Sequence, residues 1–503
     1  MRSKDINYVI IQAGGKGIRM GRYAENKPKC LVPVKGIPII MNTIEKYKDK
    51  EIIIIADYKA DVLETYLTNF CKYNFTVCQT TEQGTAGGLA KVMDSIPDDE
   101  PFILTWADLF FEETPEFEFN KDLLVGLSNT FKCRWKLENN QFVNEASSEV
   151  GVAGFFAFKN KERFNKLSLS KSLVRGFLSD NYKDREIESF ILSNCFEVGE
   201  MDKYENILVN ELNHRFFNEV VIDGNKVTKK CIDPRYEDVH SKEKLWYNAV
   251  SDRLENIPKI HSYNPLTMDR IGGEHLWNLK KNKEELINNF CNALDSLHNI
   301  AEVDANADDM IDVYLKKTKV RVEEVRSLIR DIDEPMVKIN SRMCINPLCD
   351  EEYFSNHIKK ISNIDKFNII HGDNTFSNTI ADENSKIWFI DPRGVFGNTP
   401  IYGDRRYDYA KLYYSAYGNY DSINSKDYRI KLDRRNVDLE IKSNGYEEFA
   451  DLIIKKSGVP KAEIQLIHAC IWFALTGYVK EDYDAVLFAF YKGCQLWTEA
   501  VSD

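Results

Sequence analysis

The sequence predicts two domains, an α/β domain with a mostly parallel sheet followed by a domain of the α+β class. Three observations lead to this prediction. The chain has 503 residues, more than one hydrophobic core usually organises. Apolar strand patterns alternate with helical patterns in its N-terminal part. Near residue 216 this alternation gives way to a hairpin signal and then to helical periodicity.

The first domain contains three predicted strands, at 8–12, 51–57 and 101–108, with helices expected at 60–72 and 85–96. The strand at 51–57 is continuously apolar, which is typical of a strand buried on both faces. Strand–helix–strand order favours a parallel, Rossmann-like sheet covered by helices. Ligands of such sheets bind at the carboxyl ends of the strands. We therefore expect a site where the strands at 8–12 and 101–108 end.

The second domain begins with a predicted β-hairpin at 217–232, whose turn is Asp223-Gly224. After about residue 240 helical periodicity dominates, and it is interrupted by strands near residues 369 and 388. The predicted domains are therefore 1–215 and 216–503.

The composition argues against several classes of protein. The formal net charge of −12 disfavours a nucleic-acid groove, where basic residues cluster. No run of about 18 apolar residues occurs, so no membrane span is expected. The 11 cysteines include no CxxC pair, which indicates buried free thiols rather than disulfides or a structural zinc site. No signal-peptide pattern is present at the N-terminus, so a cytoplasmic protein is expected.

A glycine-rich loop follows the first strand. Gly14, Gly15 and Gly17 allow backbone N–H groups to approach a triphosphate closely. Arg19 can clamp phosphate oxygens with two hydrogen bonds, and Lys29, next to a proline, is placed to reach phosphate. The loop alone could equally bind a dinucleotide or form a plain turn.

Five motifs in this half resemble those of the sugar-1-phosphate and phosphocholine nucleotidyltransferases, a family with a GT-A-like fold. They are the glycine loop with Arg19, Pro28-Lys29, the Gly-Thr-Ala-Gly-Gly-Leu segment at 84–89, the strand-end Asp108 and Glu197-Val198-Gly199. The resemblance covers about residues 6–210, with the motifs in the order of the family. Two positions depart from it, because Ile18 replaces a Thr and Glu197 replaces an Asp.

This resemblance implies a Mg²⁺-dependent reaction in which a phosphomonoester oxygen attacks the α-phosphate of an NTP and pyrophosphate leaves. CTP or UTP is favoured by the same resemblance. Asp108 and Glu197 would bind the metal, and the catalytic Arg19 and Lys29 would neutralise phosphate charge. The nucleotide-binding residues that it implies are Gln12, Ala13, Gly14, Gly15, Gly17, Arg19, Gln83, Gly84 and Thr85. From the residues alone, Asp108 could instead cap a helix, and Glu197 and Lys29 could be ordinary surface side chains.

Residues 370–394 contain a second set of oxygen ligands. Asp373 and Asn378 lie on one predicted loop, and Asp391 ends an apolar strand. Carboxylate and amide oxygens of this kind bind the Mg²⁺ ions that hold nucleotide phosphates. The chain therefore carries a second candidate site for nucleotide chemistry.

The His371–Asn378 segment resembles the catalytic loop of the aminoglycoside phosphotransferase and choline kinase family, which is related to the protein kinases. This resemblance makes Asp373 the catalytic base that accepts the proton of the acceptor hydroxyl. Asn378 and Asp391 would bind Mg²⁺, whereas His371 and Asp408 would brace the loop.

The same resemblance implies a bilobal, protein-kinase-like fold, with a small lobe at about 216–272 and a large lobe at about 273–503. The segment at 268–273 would be the hinge that contacts adenine. Where the family usually has aromatic or acidic residues after the metal-binding Asp, this chain has Pro392-Arg393-Gly394. Arg393 could contact an anionic substrate or cap the strand.

The lysine that pairs with ATP phosphates is expected on the second strand of the hairpin. Both Lys229 and Lys230 are candidates, because alternation along a strand does not show which one faces the cleft. The V-x-K spacing of the kinase strand favours Lys229. Glu243, on the following predicted helix, would be its ion-pair partner, or else a solvated residue of the helix surface.

Together the two sites predict a bifunctional enzyme. One site would phosphorylate a small sugar or amino alcohol with ATP, and the other would couple the resulting phosphate to an NTP. The product would be an NDP-activated precursor of a surface glycan such as capsule. Three alternatives remain: a choline kinase fused to a CTP:phosphocholine cytidylyltransferase, an enzyme with one degenerate domain, and a nucleotide-binding scaffold or sensor without turnover.

Overall fold

The computed structural model describes residues 1–80, 85–166, 173–182, 186–211, 218–234 and 237–502. The chain forms two units. The first unit comprises Met1–Asn210 and Glu481–Asp484, and the second comprises Glu211–Lys480 and Ala485–Asp503.

The first unit alternates short strands and helices. Its strands are β1 (Tyr8–Gln12), β2 (Pro33–Val34), β3 (Ile37–Pro38), β4 (Glu51–Ala56), β5 (Thr76–Gln79), β6 (Phe102–Trp106), β7 (Leu109–Phe111), β8 (Leu123–Ser128), β9 (Lys136–Glu138), β10 (Gln141–Val143), β11 (Gly151–Phe158), β12 (Ile187–Ile191) and β13 (Cys195–Glu197). Its α-helices are α1 (Ile39–Lys46), α2 (Ala60–Phe70), α3 (Thr85–Val92), α4 (Val174–Asn181) and α5 (Met201–Glu211).

A mixed sheet forms the centre of the first unit. Strands β5, β4, β1 and β6 pair in parallel in that order, and β12 pairs in parallel with β8. The predicted parallel core is therefore present, and the predicted strands coincide with β1, β4 and β6. Strand β11 adds antiparallel pairings with β6, β8 and β9 that the sequence patterns did not predict.

The parallel strands are buried because both of their faces are apolar. Val9, Ile10 and Ile11 of β1 are fully buried, as are Ile54 and Ile55 of β4. A strand whose successive residues point to opposite faces can be buried throughout only if both faces are covered. Because β1 and β6 are parallel neighbours, their carboxyl ends meet at one edge of the sheet, where Gln12 lies beside Trp106.

The second unit combines small sheets with many helices. Its strands are β14 (Asn218–Asp223), β15 (Lys226–Cys231), β16 (Ile260–Tyr263), β17 (Leu266–Asp269), β18 (Glu274–His275), β19 (Glu302–Asp304), β20 (Met336–Ile339), β21 (Arg342–Ile345), β22 (Lys366–Ile369), β23 (Thr379–Ala381), β24 (Ile387–Phe389), β25 (Val395–Phe396), β26 (Thr399–Pro400), β27 (Tyr402–Gly403), β28 (Tyr428–Leu432) and β29 (Val437–Ile441). Its α-helices are α6 (Glu237–Val250), α7 (Lys283–His298), α8 (Ala307–Ile311), α9 (Lys317–Glu323), α10 (Glu351–Ile361), α11 (Arg405–Ala416), α12 (Asp421–Asn424), α13 (Ala450–Ser457), α14 (Lys461–Tyr478) and α15 (Tyr483–Ser502).

The hairpin that opens the second unit lies in an antiparallel sheet of order β14-β15-β17-β16. Its strands join at a two-residue turn, Gly224-Asn225, one residue later than the predicted Asp223-Gly224, because Asp223 still belongs to β14 and pairs with Lys226. Gly224 has a φ of +56°. Successive residues of β15 alternate in burial, so Lys229 is buried whereas Lys230 is exposed. The next α-helix along the chain is α6.

The C-terminal part of the second unit contains more strands than helical periodicity predicts. Strands β28 and β29 form a hairpin within a four-stranded sheet completed by β20 and β21. Tyr428 and Ile430 alternate in burial with their neighbours, as do Val437 and Leu439. This period-2 pattern is short, and the apolar helices α14 and α15 dominate the surrounding composition. Among the helices within the described ranges, none is both long and apolar enough to cross a membrane.

Candidate active sites

The glycine loop of the first unit follows the end of β1. Ala13 donates its backbone N–H to the carbonyl of Ile55 at 2.8 Å, so the loop starts from the sheet edge. A Cβ at Gly14 would lie 3.2 Å from the Cβ of Asp57, and Gly17 has a φ of +63°. These positions favour glycine because a side chain would meet a neighbour at the first and strain the backbone at the second. The backbone is therefore open to close approach by a ligand.

Lys29 and Asp108 form an ion pair next to this loop. Asp108 is only 5% exposed, and its Oδ1 atom has no hydrogen-bond partner among the described residues. Lys29 is largely buried too, so it is not an ordinary surface lysine. A buried carboxylate oxygen without a donor is suited to a bound cation.

Glu197 lies beside Asp108 because strand β13 pairs with β7. Glu197 is opposite Leu109 in this ladder, and the N–H of Val198 donates to the carbonyl of Asp108 at 2.8 Å. A Cβ placed on Gly199 would lie 2.4 Å from Glu197 Oε1 and 3.2 Å from Asp108 Oδ2. The two carboxylates therefore face one small space, which Gly199 leaves open.

Two cations balance the charge of Glu197. Lys203 forms an ion pair with Glu197 Oε2, and Arg19 Nη2 lies 3.9 Å from Glu197 Oε1. Arg19 also pairs with Glu200. The Glu197 side chain is 16% exposed, so it is not the solvated surface carboxylate that was one interpretation of the sequence. Lys203 was not predicted, since a lysine on a helix has no sequence signal for this role.

A cavity of about 980 Å³ brings these residues together. Most of the predicted site residues line it, and they are Gln12, Gly14, Gly15, Gly17, Arg19, Lys29, Thr85, Asp108 and Glu197. Ala13 is buried beneath the loop rather than lining the cavity. Gln83 and Gly84 lie outside the described residues.

The cavity also contains side chains that sequence reasoning missed. Lys132, Arg134 and Arg175 add positive charge to its lining, and Trp106 adds an aromatic face. Trp106 occupies its position because Gly154 has a φ of +89° and a Cβ there would lie 2.3 Å from the indole ring. These residues come from β6, α4 and loops far apart in the chain, so no short motif connects them.

In the second unit, Lys229 connects the hairpin with two carboxylates. Its Nζ lies 2.6 Å from Glu243 Oε1 and 2.7 Å from Asp391 Oδ1. Burial opposes the charge, but the carboxylates of Asp391 and Glu243 outweigh it, so the pKa of Lys229 is raised. Lys230 is exposed and lies 4.0 Å from Glu219. Glu243 is buried, so it is not a solvated residue of the helix surface.

Asp373 and Asn378 are held together on the loop after β22. Asn378 Nδ2 donates to the backbone carbonyl of Asp373 at 2.7 Å and to its Oδ2 at 3.0 Å. The N–H of Ile390 donates to the carbonyl of Asn378 at 3.0 Å, which brings Asp391 onto the adjoining loop. Asp391 has a φ of +56°, an uncommon conformation for a residue with a side chain and one that is enriched at functional sites.

Asp408 stabilises the loop that carries Asp373. This fully buried carboxylate accepts hydrogen bonds from the N–H groups of His371 and Gly372, both at 2.8 Å, and lies 3.0 Å from His298 Nε2. His371 Nε2 lies 3.0 Å from the carbonyl of Ile390, and burial lowers the pKa of this histidine. Both side chains act on the loop backbone, as the sequence interpretation expected of braces.

Lys411, on α11, contacts Asp373 and was not predicted. Its Nζ lies 2.9 Å from Asp373 Oδ1, and it is buried. Burial opposes the charge of Lys411, but the carboxylate of Asp373 is the leading contribution that raises its pKa.

In the segment predicted to be the hinge, 268–273, Met268 belongs to β17 and pairs with Val227 of the hairpin.

The side chains available as metal ligands limit how a metal ion could bind. Within the described part of the chain, no group of three or more His, Cys, Asp or Glu side chains is arranged to hold a metal ion. Each site offers two oxygen-bearing side chains instead, Asp108 with Glu197 and Asn378 with Asp391. Mg²⁺ is commonly bound by one or two protein carboxylates plus substrate phosphates and water. The residues present therefore fit a metal that arrives with a nucleotide.

Known proteins have sequences similar to part of the chain. The chain is 34% identical over 116 residues to the bifunctional protein GlmU of Methanocaldococcus jannaschii, covering 22% of this chain and 27% of that protein. It is 28% identical over 153 residues to glucose-1-phosphate cytidylyltransferase of Salmonella typhimurium, covering 24% and 60%. The chain thus spans about a quarter to three fifths of the length of these relatives.

Solved structures match part of the chain at low identity. The CTP:phosphocholine cytidylyltransferase LicC of Streptococcus pneumoniae is 18% identical and covers 40% of this chain and 98% of its own, with a TM-score of 0.34. The family model described as the MobA-like NTP transferase domain matches residues 9–115, which include the glycine loop, Lys29 and Asp108. The N-terminal part of the chain therefore carries a MobA-like NTP transferase domain.

Proposed function

We propose that the protein is a bifunctional enzyme, an ATP-dependent kinase of a small sugar or alcohol and a nucleotidyltransferase that acts on the phosphorylated product. The contacts of Lys229 carry the kinase half of this proposal. One ammonium reaches both Glu243 and Asp391, while Asn378 holds Asp373 on the adjoining loop. A cation, two potential metal ligands and a carboxylate base are the parts that phosphoryl transfer requires.

In the kinase step, Lys229 would neutralise ATP phosphates from the hairpin, and Glu243 would keep its ammonium in place. Asp373 would accept the proton of the acceptor hydroxyl as its oxygen attacks the γ-phosphorus, and ADP would leave. Asn378 and Asp391 would hold Mg²⁺, which supplies positive charge to the transferring phosphate. Lys411 and Asn378 hold the two carboxylate oxygens of Asp373, which fixes the direction in which the base points.

In the transferase step, the glycine loop would bind the triphosphate through backbone N–H groups. Arg19 and Lys29 would neutralise charge as the phosphomonoester oxygen attacks the α-phosphorus and pyrophosphate leaves. Asp108 and Glu197 would hold Mg²⁺, which stabilises the same charge. In the structure Asp108 pairs with Lys29, and Glu197 pairs with Lys203 and Arg19. Binding of a nucleotide would exchange these ion pairs for phosphate contacts.

The two reactions form a sequence by their chemistry. A kinase makes a phosphomonoester, and a nucleotidyltransferase of this kind consumes one. Covalent linkage raises the local concentration of the intermediate. The product would be an NDP-activated precursor, with CTP or UTP as the NTP donor, and its use in surface-glycan synthesis, such as capsule, is part of the proposal. Similarity to a glucose-1-phosphate cytidylyltransferase supports the transferase half.

The test is a two-stage assay with the full chain. ADP formation is measured with ATP and a panel of sugars and alcohols, and pyrophosphate formation is measured with each NTP and the corresponding phosphates. The proposal predicts that one acceptor supports both stages in sequence. Nucleotide binding without turnover in either assay would instead indicate a binding protein.

A further inference from the structure

A small cavity in the second unit is lined by two cationic side chains, Lys317 and Arg393. It has a volume of about 260 Å³ and is lined by Asp312, Val313, Lys317, Arg393, Phe396 and Tyr407 among other residues. We call it the cationic pocket. Its size is close to the lower end of the range for ligand sites, roughly 300–1,000 Å³, so it suits a small molecule.

Lys317 and Arg393 of this pocket, and Arg321 near it, form no ion pair with any residue that the structure describes. No carboxylate of the described residues lies within 4.0 Å of the Lys317 ammonium or of the guanidinium groups of Arg393 and Arg321. Arg321 donates to the carbonyl of Ala474 at 3.1 Å and lies over the ring of Tyr478. Grouped cations of this kind repel one another unless an anion joins them.

The nearby carboxylates are already occupied. Asp312 lines the pocket but accepts a hydrogen bond from Lys316 at 2.6 Å. Asp373 is engaged by Lys411 and by Asn378. Burial, followed by the charges of Arg393, Arg321 and Lys411, lowers the pKa of Lys317 well below its usual value, and only Asp373 among the leading contributions opposes this. An anion in the pocket would relieve that repulsion.

The pocket adjoins the proposed catalytic base. The N–H of Arg393 donates to the carbonyl of His371 at 2.9 Å, two residues before Asp373. A Cβ on Gly372 would lie 3.2 Å from the Cβ of Arg393, so the arginine stem packs against the catalytic loop. The Arg393 side chain makes no hydrogen bond to a strand carbonyl within the described residues, which argues against a capping role.

Lys317 follows a local irregularity in its helix. A π-helical turn at Asp312–Lys316 precedes α9, which begins at Lys317. Such turns shift the side chains that follow and often occur at functional sites. Asp312, Val313 and Lys317, from this turn and the residue after it, all line the pocket.

We infer that the acceptor of the kinase reaction carries an anionic group of its own, a carboxylate or a phosphate, and that Lys317 and Arg393 bind it. This inference rests on the proposed kinase function and narrows its substrate class. The acceptor hydroxyl would lie at Asp373 while the anionic group occupies the cationic pocket. A cationic acceptor such as choline would be repelled from the same position.

The test uses matched acceptors with the full chain and ATP. Glycerol is compared with glycerate and glycerol 3-phosphate, and glucose with glucuronate and glucose 6-phosphate, with choline as the cationic probe. The inference predicts a kcat/KM at least tenfold higher for an anionic acceptor than for its neutral counterpart, and no use of choline. Comparison of the carboxylate acceptors, glycerate and glucuronate, with the phosphate acceptors, glycerol 3-phosphate and glucose 6-phosphate, shows which anionic group is bound. Preference for a neutral or cationic acceptor would overturn the inference while leaving the kinase function intact.

Variants test whether Lys317 and Arg393 are the residues that bind the anionic group of the acceptor. Lys317→Met should raise KM for the anionic acceptor about 10–100-fold, as expected for a lost charged hydrogen bond, with KM for ATP changed less than about twofold. Arg393→Gln, at an exposed position, should act in the same direction if Lys317→Met does not fold. Lys319→Met is the matched control, since this lysine is on α9, does not line the pocket and has a side chain that is 39% exposed, and it should leave both constants unchanged. An increase of KM for ATP instead would place the cations on the nucleotide and contradict the inference.

A binding titration separates this inference from the kinase proposal. If no acceptor supports ADP formation, the kinase function fails for these compounds. Glycerate and glycerol 3-phosphate are then titrated calorimetrically into the wild type and Lys317→Met without ATP. Binding that is lost in the variant would still support an anion site, whereas absent or unchanged binding would overturn it.

Discussion

The ammonium of Lys229 lies 2.7 Å from the carboxylate of Asp391, although 162 residues separate them in the chain. This contact joins the N-terminal hairpin of the second unit to the loop that follows β24. Glu243 completes the arrangement at 2.6 Å from the same ammonium. The proposed kinase chemistry depends on these three side chains meeting.

Lys229→Met should reduce ADP formation at least about 10²-fold, because the ATP phosphates lose their cation and Glu243 loses its partner. Removing one partner of a buried ion pair typically costs about 3–5 kcal/mol, so a lower melting midpoint is also expected. Lys230→Met is the matched control on the same strand, since its side chain is 54% exposed. Full kinase activity in Lys229→Met would argue against the proposed role of this lysine.

Gly154→Ala should disturb the first unit. A Cβ at this position would lie 2.3 Å from Trp106, and the φ of +89° adds backbone strain. Overpacking and strain together are expected to cost about 2–4 kcal/mol of unfolding free energy. Pyrophosphate formation should fall because Trp106 lines the cavity.

Gly176→Ala provides the control for this prediction. Gly176 lies in α4, and a Cβ there would meet nothing within 4 Å. Alanine in a helix is favoured over glycine by roughly 0.5–1 kcal/mol, so this variant should be neutral or slightly stabilised. Equal denaturation midpoints for the two variants would contradict the account of Trp106.

Asp421→Asn should change how stability depends on pH. Asp421 is buried, accepts a hydrogen bond from the N–H of Ser377 at 3.0 Å, and burial raises its pKa from 3.8 to about 6. Because folding raises the pKa of this carboxyl group, its contribution to the free energy of unfolding is fully present below about pH 4. That contribution is lost as the pH rises through 6. The shift of about two pH units corresponds to about 3 kcal/mol.

The variant cannot ionise, so its unfolding free energy relative to wild type should rise by up to about 3 kcal/mol between pH 4 and 7. Urea denaturation across this range measures the difference. Asp238→Asn, at a side chain that is 74% exposed, is the control and should follow the wild-type trend. A constant difference between Asp421→Asn and wild type across the range would show that burial does not perturb this carboxyl.

Local patterns predicted the elements that form from neighbouring residues. The continuously apolar strand at Glu51–Ala56 appears where the sequence places it. The hairpin also forms, with its turn at Gly224-Asn225, one residue later than predicted. Burial within a strand alternates by residue, but which face is buried depends on the rest of the unit. The choice between Lys229 and Lys230 therefore needed the structure.

Residues from distant segments could not be predicted in the same way. Lys203, Lys411 and Arg175 reach the two candidate sites from helices or their ends, and a single cation on a helix has no distinguishing pattern. The cationic pocket likewise combines a π-helical turn with the loop after Asp391. Only tertiary packing brings these groups together.

The central claim is that one chain contains two independent catalytic sites, and paired variants of the full chain test it most directly. ADP and pyrophosphate formation are measured for Asp108→Asn and Asp373→Asn. The account predicts that Asp373→Asn loses about 10²–10⁴-fold in ADP formation and keeps pyrophosphate formation, and that Asp108→Asn shows the reverse. A variant that loses both activities would contradict this claim, and so would full retention of both activities in both variants.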